Sequence, residues 1–308
     1  MQNTNAIIMV RPACFGWNAE TAESNHFQQI SIMESSEIHL NALLEFDLAC
    51  DILRQKGLKV TVLQDRPENK TPDSIFPNNW FSTHADGTLI GYPMLAPNRR
   101  RERIANFDQV LLKEGFRVSE WLDWTAAENQ GKFLEGTGSL ILDRVNKRVY
   151  AARSPRTHEQ LVEDWAHKMG FVPFVFSAFD SRGEKPTAIY HSNVLLSIGE
   201  HLAIFCGEAV PENERNQVVQ SLIESGKSVL FISLEQMDQF AGNALELKNH
   251  QGKKIWVMST TAQKSLRGDQ LEKIQEQGEI VALHIPTIER IGGGSARCMI
   301  AEIFLPEV

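Results

Sequence analysis

Gly138-Ser139-Leu140-Ile141-Leu142-Asp143-Arg144-Val145-Asn146-Lys147-Arg148-Val149-Tyr150-Ala151-Ala152 is the stretch whose reading decides the fold. Two apolar runs, Ser139 to Leu142 and Arg148 to Ala152, flank a polar turn from Asp143 to Lys147, which is a hairpin pattern. A helix from about Thr157 to Met169 follows, then an apolar strand from Phe171 to Phe176. The same order of strand, strand, helix and strand recurs from Asn193. It runs through Val194 to Ser197, His201 to Phe205, a helix opened by Pro211 and ending near Glu224, and Val229 to Ser233. A third copy starts at Asn243, with strands Ala244 to Leu247 and Lys254 to Met258, a helix from Ala262 to Gln277, and strand Ile280 to His284. Proline at a helix start and glycine after helix ends, at Gly170, Gly226 and Gly278, agree with the usual capping chemistry.

The pattern extends in both directions. Upstream, Asn79-Trp80-Phe81-Ser82 and Thr88-Leu89-Ile90-Gly91 read as a hairpin, followed by a helix from Arg100 to Glu114 and a strand starting at Phe116. Downstream, Cys298 to Leu305 supplies one strand, and its partners come from the N-terminus: strand Ala6 to Val10, helix Glu34 to Lys56 and strand Lys59 to Leu63. The repeat starts fall near residues 79, 138, 193, 243 and 298, a spacing of about 50–60 residues that marks an internal repeat. Five α/β units of this kind predict a ring in which the two chain ends share a unit. The alternative is a generic α/β sheet with accidental spacing. No linker, low-complexity run or charge block divides the chain, so residues 1–308 read as a single domain.

In such a ring the unit starts point at a common axis, so the residues there test for function. The first start brings Asp73-Ser74-Ile75-Phe76-Pro77-Asn78-Asn79-Trp80, and the second brings Glu135-Gly136-Thr137-Gly138. The third brings Tyr190-His191-Ser192-Asn193, and the fourth Ala241-Gly242-Asn243. The fifth is Gly292-Gly293-Gly294-Ser295-Ala296-Arg297-Cys298. Glycines without a Cβ let backbone crowd close to a ligand. Arg297 puts fixed positive charge beside a thiol, the setting in which reactive thiolates are found. Cys298 read alone is equally a small core residue. Together with His191 and Glu135 at the same phase of the repeat, it makes the set that nucleophilic attack at an sp² carbon needs.

Composition narrows the partners. A net charge of -8 and the absence of a Lys/Arg stripe exclude nucleic acid as the main partner. The four cysteines, Cys14, Cys50, Cys206 and Cys298, are widely spaced and form no CxxC pair, which fits a reducing compartment. No secretory leader or membrane-length apolar run is visible. The expectation is a cytoplasmic protein acting on a small molecule, with no cofactor and no metal, since no His-Glu-x-x-His run or nucleotide loop is present. The oligomeric state is left open, a homo-oligomer included.

These residues resemble the amidinotransferase/arginine deiminase superfamily, the guanidino-group-modifying enzymes built as a five-bladed α/β propeller. The similarity spans nearly the whole chain. Gly292 to Met299 is similar to the glycine-rich run that ends in that family's nucleophilic cysteine. Glu135-Gly136 resembles its substrate-holding, His-orienting glutamate, and His191-Ser192-Asn193 its His-x-Asp acid/base element. Ser154-Pro155-Arg156-Thr157 is similar to the Ser-x-Arg-Thr segment that grips the substrate carboxylate. Asn98-Arg99-Arg100-Arg101-Glu102 resembles an Arg-x-x-Glu element supporting substrate binding. The resemblance implies catalysis by Cys298, His191 and Glu135. It implies substrate contacts from Asp73, Asn78, Asn79, Asn193, Arg156, Arg99 and Arg100.

The departures are informative. Glu-Gly-Gly-Asp has become Glu135-Gly136-Thr137-Gly138, Phe-x-Arg-Asp has become Phe76-Pro77-Asn78-Asn79, and the Asp of His-x-Asp is Asn193. Asp73 is the carboxylate left to stand in from another position. A guanidinium carries donors and no acceptor, so it wants carboxylates around it. A ureido group is neutral and its carbonyl oxygen needs a donor, which an asparagine NH₂ supplies. Citrulline therefore stands beside arginine as the expected substrate, and the run from Asp73 to Trp80 looks like the citrulline-hydrolase branch. The rivals are an amidinotransferase, in which an amine resolves the intermediate, and a catalytically silent ligand-binding member of the fold.

Overall fold

An antiparallel step between strands needs only a tight turn, whereas a parallel step needs a crossover long enough to return the chain. The computed structural model describes residues 1–308 and uses both steps in every repeat. In each of five three-stranded sheets the first strand is antiparallel to the second, and the second is parallel to the third. The long helices, Ser35–Gln55, Glu159–Met169 and Glu212–Glu224, lie in parallel crossovers. The residues form two compact units, one of Thr4–Gly136, Ile285–Gly294 and Cys298–Val308, the other of Met1–Asn3, Thr137–His284 and Ser295–Arg297.

The first of these holds two sheets. One is Ala301–Ile303, Ala6–Arg11 and Lys59–Gln64, so the last strand pairs with the first (Ala6 opposite Ile303). The other is Phe81–Thr83, Thr88–Gly91 and Glu120–Asp123. Thr83 ties the two together, its hydroxyl donating to the Glu302 carbonyl at 2.9 Å and accepting from the Phe304 N–H at 2.9 Å. The helix Ser35–Gln55 crosses over with Ile38, Ala42, Phe46, Ala49, Cys50 and Leu53 buried, an apolar face at helical spacing. Phe107 is fully buried against Trp80 (centroids 4.7 Å apart) and Phe81 (4.8 Å, edge to face). Phe107→Ala should therefore cost about 3–5 kcal/mol, read as a lowered urea midpoint at unchanged slope.

The second unit holds three sheets: Ile141–Asp143, Arg148–Arg153 and Val172–Ser177; Leu196–Ile198, Leu202–Phe205 and Ser228–Phe231; and Leu245–Lys248, Lys254–Ser259 and Glu279–Leu283. Its first strands are bridged by Gln2, whose amide donates to the carbonyls of Leu142 (2.8 Å) and Ile198 (3.2 Å). A buried pair, Lys227 and Asp143 at 3.2 Å, links the first sheet to the second. The helix Glu159–Met169 stops at Gly170, which takes the left-handed conformation (φ 68°) that glycine adopts without strain. No helix is long and apolar enough to cross a membrane.

Four expectations change. The strand expected over Cys298 to Leu305 is confined to Ala301–Ile303, and Cys298 lies in the turn before it, where the Arg297 N–H is taken by the Asn243 side chain rather than by a ladder. The helix expected from Arg100 to Glu114 is a short 3₁₀ turn, Arg99–Glu102, and a separate helix, Phe107–Lys113, broken where Asn106 turns left-handed (φ 53°). The strand after it begins at Glu120, because Phe116 is drawn into the apolar cluster and bridges Glu307. The helix expected from Ala262 to Gln277 is split into Thr260–Ser265 and Gly268–Gln275, since Leu266 adopts an extended conformation.

Candidate active site

The two asparagines of the first repeat start lie in a 3₁₀ turn, Pro77–Asn79, immediately before the strand Phe81–Thr83. Proline opens this turn at no cost, because the first N–H of a helix has no partner to lose. Both asparagines are buried. The second repeat start packs tightly against this turn: a Cβ on Gly136, next to the fully buried Glu135, would sit 2.4 Å from the Asn78 carbonyl oxygen and 3.0 Å from that of Asn79. The Leu95 N–H donates to Glu135 Oε1 at 3.0 Å.

Arg99 organises this end of the site. Its Nε and Nη2 close a fork on Glu102 at 2.8 and 2.9 Å, its Nη1 donates to Asn79 Oδ1 at 2.6 Å, and Nη2 also reaches the Phe76 carbonyl at 3.0 Å. Asn79 Nδ2 in turn donates to Asn78 Oδ1 at 3.1 Å. Burial works against the charge on both Arg99 and Glu102, lowering the first and raising the second. At Arg99 the charges of Glu102 and Asp73 outweigh burial, so the guanidinium is held above its ordinary value. Sequence reading places Arg99 among the substrate contacts; in the structure its fork is closed on Glu102. Arg100 is likewise engaged, with Nε on the Met94 carbonyl (2.9 Å), Nη2 on that of Leu95 (3.1 Å), and Glu128 at 3.4 Å.

Asp73 is buried 4.0 Å from Arg99, and its Oδ2 accepts from Asn18 Nδ2 (2.7 Å) and Thr21 Oγ1 (3.0 Å). The same polar segment reaches the glycine run. Gln28 Nε2 donates to the Gly292 carbonyl at 3.1 Å and Asn25 Nδ2 to that of Gly293 at 3.2 Å. Sequence reading missed Asn18, Thr21, Asn25 and Gln28, which stand in a stretch without periodicity; only the density of short polar residues could have drawn attention to them. The glycines are required by packing. A Cβ at Gly292 or Gly294 would meet the Phe76 ring at 2.8 Å, and Gly293 is left-handed (φ 64°). Cys298 follows this run and is only 4% exposed.

In the unit of Thr137–His284, His191 and Asn193 are buried around a second 3₁₀ turn, Ser192–Val194. Ser192 anchors the turn by donating to the Ser139 carbonyl at 2.6 Å and accepting from the Ala152 N–H at 2.8 Å. Arg156 is buried with its guanidinium 4.9 Å above the Tyr190 ring, and that ring lies 4.7 Å from His191. Asn243, buried at the fourth repeat start, donates to the Asn193 carbonyl (2.9 Å) and accepts from the Arg297 N–H (3.0 Å). It thereby fixes the residue that precedes Cys298. No group of His, Cys, Asp and Glu is arranged to hold a metal ion.

No curated protein matches the chain in sequence. Among solved structures, ArgZ, an arginine dihydrolase from the ornithine–ammonia cycle in cyanobacteria, is similar with a TM-score of 0.75 at 14% identity. That likeness covers 98% of this chain, which spans 41% of the length of ArgZ. The N-terminal domain of ArgZ, a cysteine-to-serine mutant bound to substrate, gives 0.73 at 16% identity over 97% of this chain and 99% of its own. A dimethylarginine dimethylaminohydrolase, a histidine-to-glycine mutant in adduct with S-methyl-L-thiocitrulline, gives 0.64 at 17% identity over 98% and 100%. At such identities these structures establish the fold, while the model of the family N,N dimethylarginine dimethylhydrolase, eukaryotic, matches residues 11–305. The chain belongs to that family, within the amidinotransferase/arginine deiminase superfamily of guanidino-modifying enzymes, and is a hydrolase of carbon–nitrogen bonds.

Proposed function

We propose that this protein hydrolyses the ureido group of citrulline or a close derivative through a covalent intermediate on Cys298, with arginine as the competing guanidino substrate. The observation that carries the reading is the pair of buried amides, Asn78 and Asn79, in the turn against which the backbone next to Glu135 packs, where a guanidinium site would set more carboxylates. A donor amide matches a ureido oxygen, and Glu135 matches a ureido NH₂. The five sheets repeat one topology, which is what the blades of an α/β propeller require. That Cys14, Cys50, Cys206 and Cys298 form no disulfide supports a cytoplasmic setting.

The Cys298 thiolate adds to the ureido carbon, forming a C–S bond. The carbon–nitrogen bond to the side-chain nitrogen then breaks, and His191 gives that nitrogen its proton, releasing ornithine and leaving an S-carbamoyl cysteine. Water gives a proton to His191 and adds its oxygen to the carbamoyl carbon. The C–S bond breaks, and the carbamate released decomposes to carbon dioxide and ammonia. Glu135 orients His191 and binds a substrate NH₂. Asn193 and Asp73 serve the substrate's polar ends, and Arg156 takes the α-carboxylate, the group a guanidinium fork suits. A relative supports a covalent route: the N-terminal domain of ArgZ, in an asparagine-to-serine variant, has been seen covalently bonded to a reaction intermediate. The test is to incubate the protein with citrulline, arginine, agmatine and methylated arginines, with and without an amine acceptor, and to assay ornithine, citrulline and ammonia. Ornithine and ammonia from citrulline support the reading. Citrulline accumulating from arginine with no loss of added citrulline contradicts it, and transfer to the amine assigns an amidinotransferase.

A further inference from the structure

Arginine carries hydrogen-bond donors and no acceptor, so it imposes a direction on any chain of amides that starts from it. The Asn79 atom that meets Arg99 Nη1 at 2.6 Å is therefore its carbonyl oxygen. The opposite end of that amide is the NH₂, and it donates to Asn78 at 3.1 Å. The Asn78 atom that receives it must be Oδ1, which turns the Asn78 NH₂ away from the chain. Free amides lack this directionality, because oxygen and nitrogen exchange places by a simple flip. Arg99 itself has no freedom to relax, being buried and held by Glu102 through two bonds of 2.8 and 2.9 Å.

We infer that Arg99 is a specificity-determining positioning residue: through Asn79 it locks Asn78 as a hydrogen-bond donor, so the site selects a ureido oxygen over a guanidinium. The inference rests on the reading of Asn78 as a substrate contact given above. A guanidinium presents only N–H groups, and one of them would face the Asn78 NH₂. Leaving a buried donor unmet in this way lowers binding by roughly 10–100-fold.

Asn79→Asp tests the lock. A carboxylate has acceptors only, so one oxygen keeps Arg99 and the other demands a donor from Asn78, which must flip and present Oδ1 outward. Measured by titration calorimetry in a Cys298→Ser background, the citrulline-to-arginine affinity ratio should shift toward arginine by about 10–100-fold, and kcat/KM in the Cys298 enzyme should shift alike. Asn78→Asp, which places the acceptor directly, should shift the ratio the same way. It serves as the second variant if Asn79→Asp fails to fold. Arg99→Met removes the lock and should bring the ratio toward unity. If both asparagine variants fold and bind, and the ratio stays at the parental value, the lock is refuted while the ureidohydrolase reading stands. Loss of both ligands in equal measure in every variant refutes it as well. If the parental protein binds neither citrulline nor arginine, the functional reading fails first and takes this inference with it.

Discussion

Replacing Cys298 with alanine is expected to lower citrulline turnover by about 10⁴-fold or more, the scale seen when a catalytic nucleophile is deleted. The fold should be retained. Cys298 is buried but small, and it occupies a turn rather than a strand, so the change removes one sulfur and breaks no ladder. The geometry around it is built by other residues. Gly292 and Gly294 lie against Phe76, Gln28 and Asn25 hold the carbonyls of Gly292 and Gly293, and Asn243 holds the N–H of Arg297. None of these contacts uses the thiol. Circular dichroism and the melting temperature should therefore match the parent, with substrate binding preserved. A Cys298→Ala protein with substantial activity would remove the nucleophile from the account.

Gly136→Ala is expected to do the reverse, damaging fold and function together. The added Cβ lies 2.4 Å from the Asn78 carbonyl oxygen, and the residue is already left-handed (φ 46°), a conformation that disfavours any side chain. Backbone cannot step aside as the end of a flexible side chain can. Either the Pro77–Asn79 turn moves or Glu135 does. The cost should be about 2–4 kcal/mol, in the range of clash and strain at a special backbone position. Because either Glu135 or the two asparagines are displaced, turnover should fall by roughly 10²-fold or more, as misplacement of about 1 Å does. Chemical denaturation and steady-state kinetics on one preparation check both halves. An alanine variant with parental stability would mean that the approach of Gly136 to Asn78 is not a constraint.

Legibility in the sequence follows the physics of each feature. The repeat was readable because hairpin, crossover and closing strand impose a fixed order of apolar runs, and the five sheets carry that order. Repeat starts were readable as small or amide residues, and packing explains them: a Cβ at Gly136 or Gly242 would strike the backbone of the preceding repeat start, at Asn78 and Val194. Helix continuity was not readable at Arg100 to Glu114. Its pattern is apolar at helical spacing, yet the extended Arg103 and the left-handed Asn106 break it, leaving Arg99 paired with Glu102 inside a short 3₁₀ turn. Arg99 is a related case. Sequence shows an arginine near a site, but only the structure shows that its fork is closed on Glu102. Asn18, Thr21, Asn25 and Gln28 were invisible because their partners, Asp73 and the glycine carbonyls, are distant in sequence and no periodicity marks them.

The central claim is that Cys298 carries the ureido carbon during the reaction. Citrulline labelled at the ureido carbon, mixed with enzyme, acid-quenched within one turnover and digested, tests it by peptide mass spectrometry. The account predicts a labelled carbamoyl group on the peptide containing Cys298, absent from the Cys298→Ala protein, with ornithine appearing before labelled carbon dioxide. Label on no peptide while citrulline is consumed, or label on Cys14, Cys50 or Cys206 instead, would contradict it.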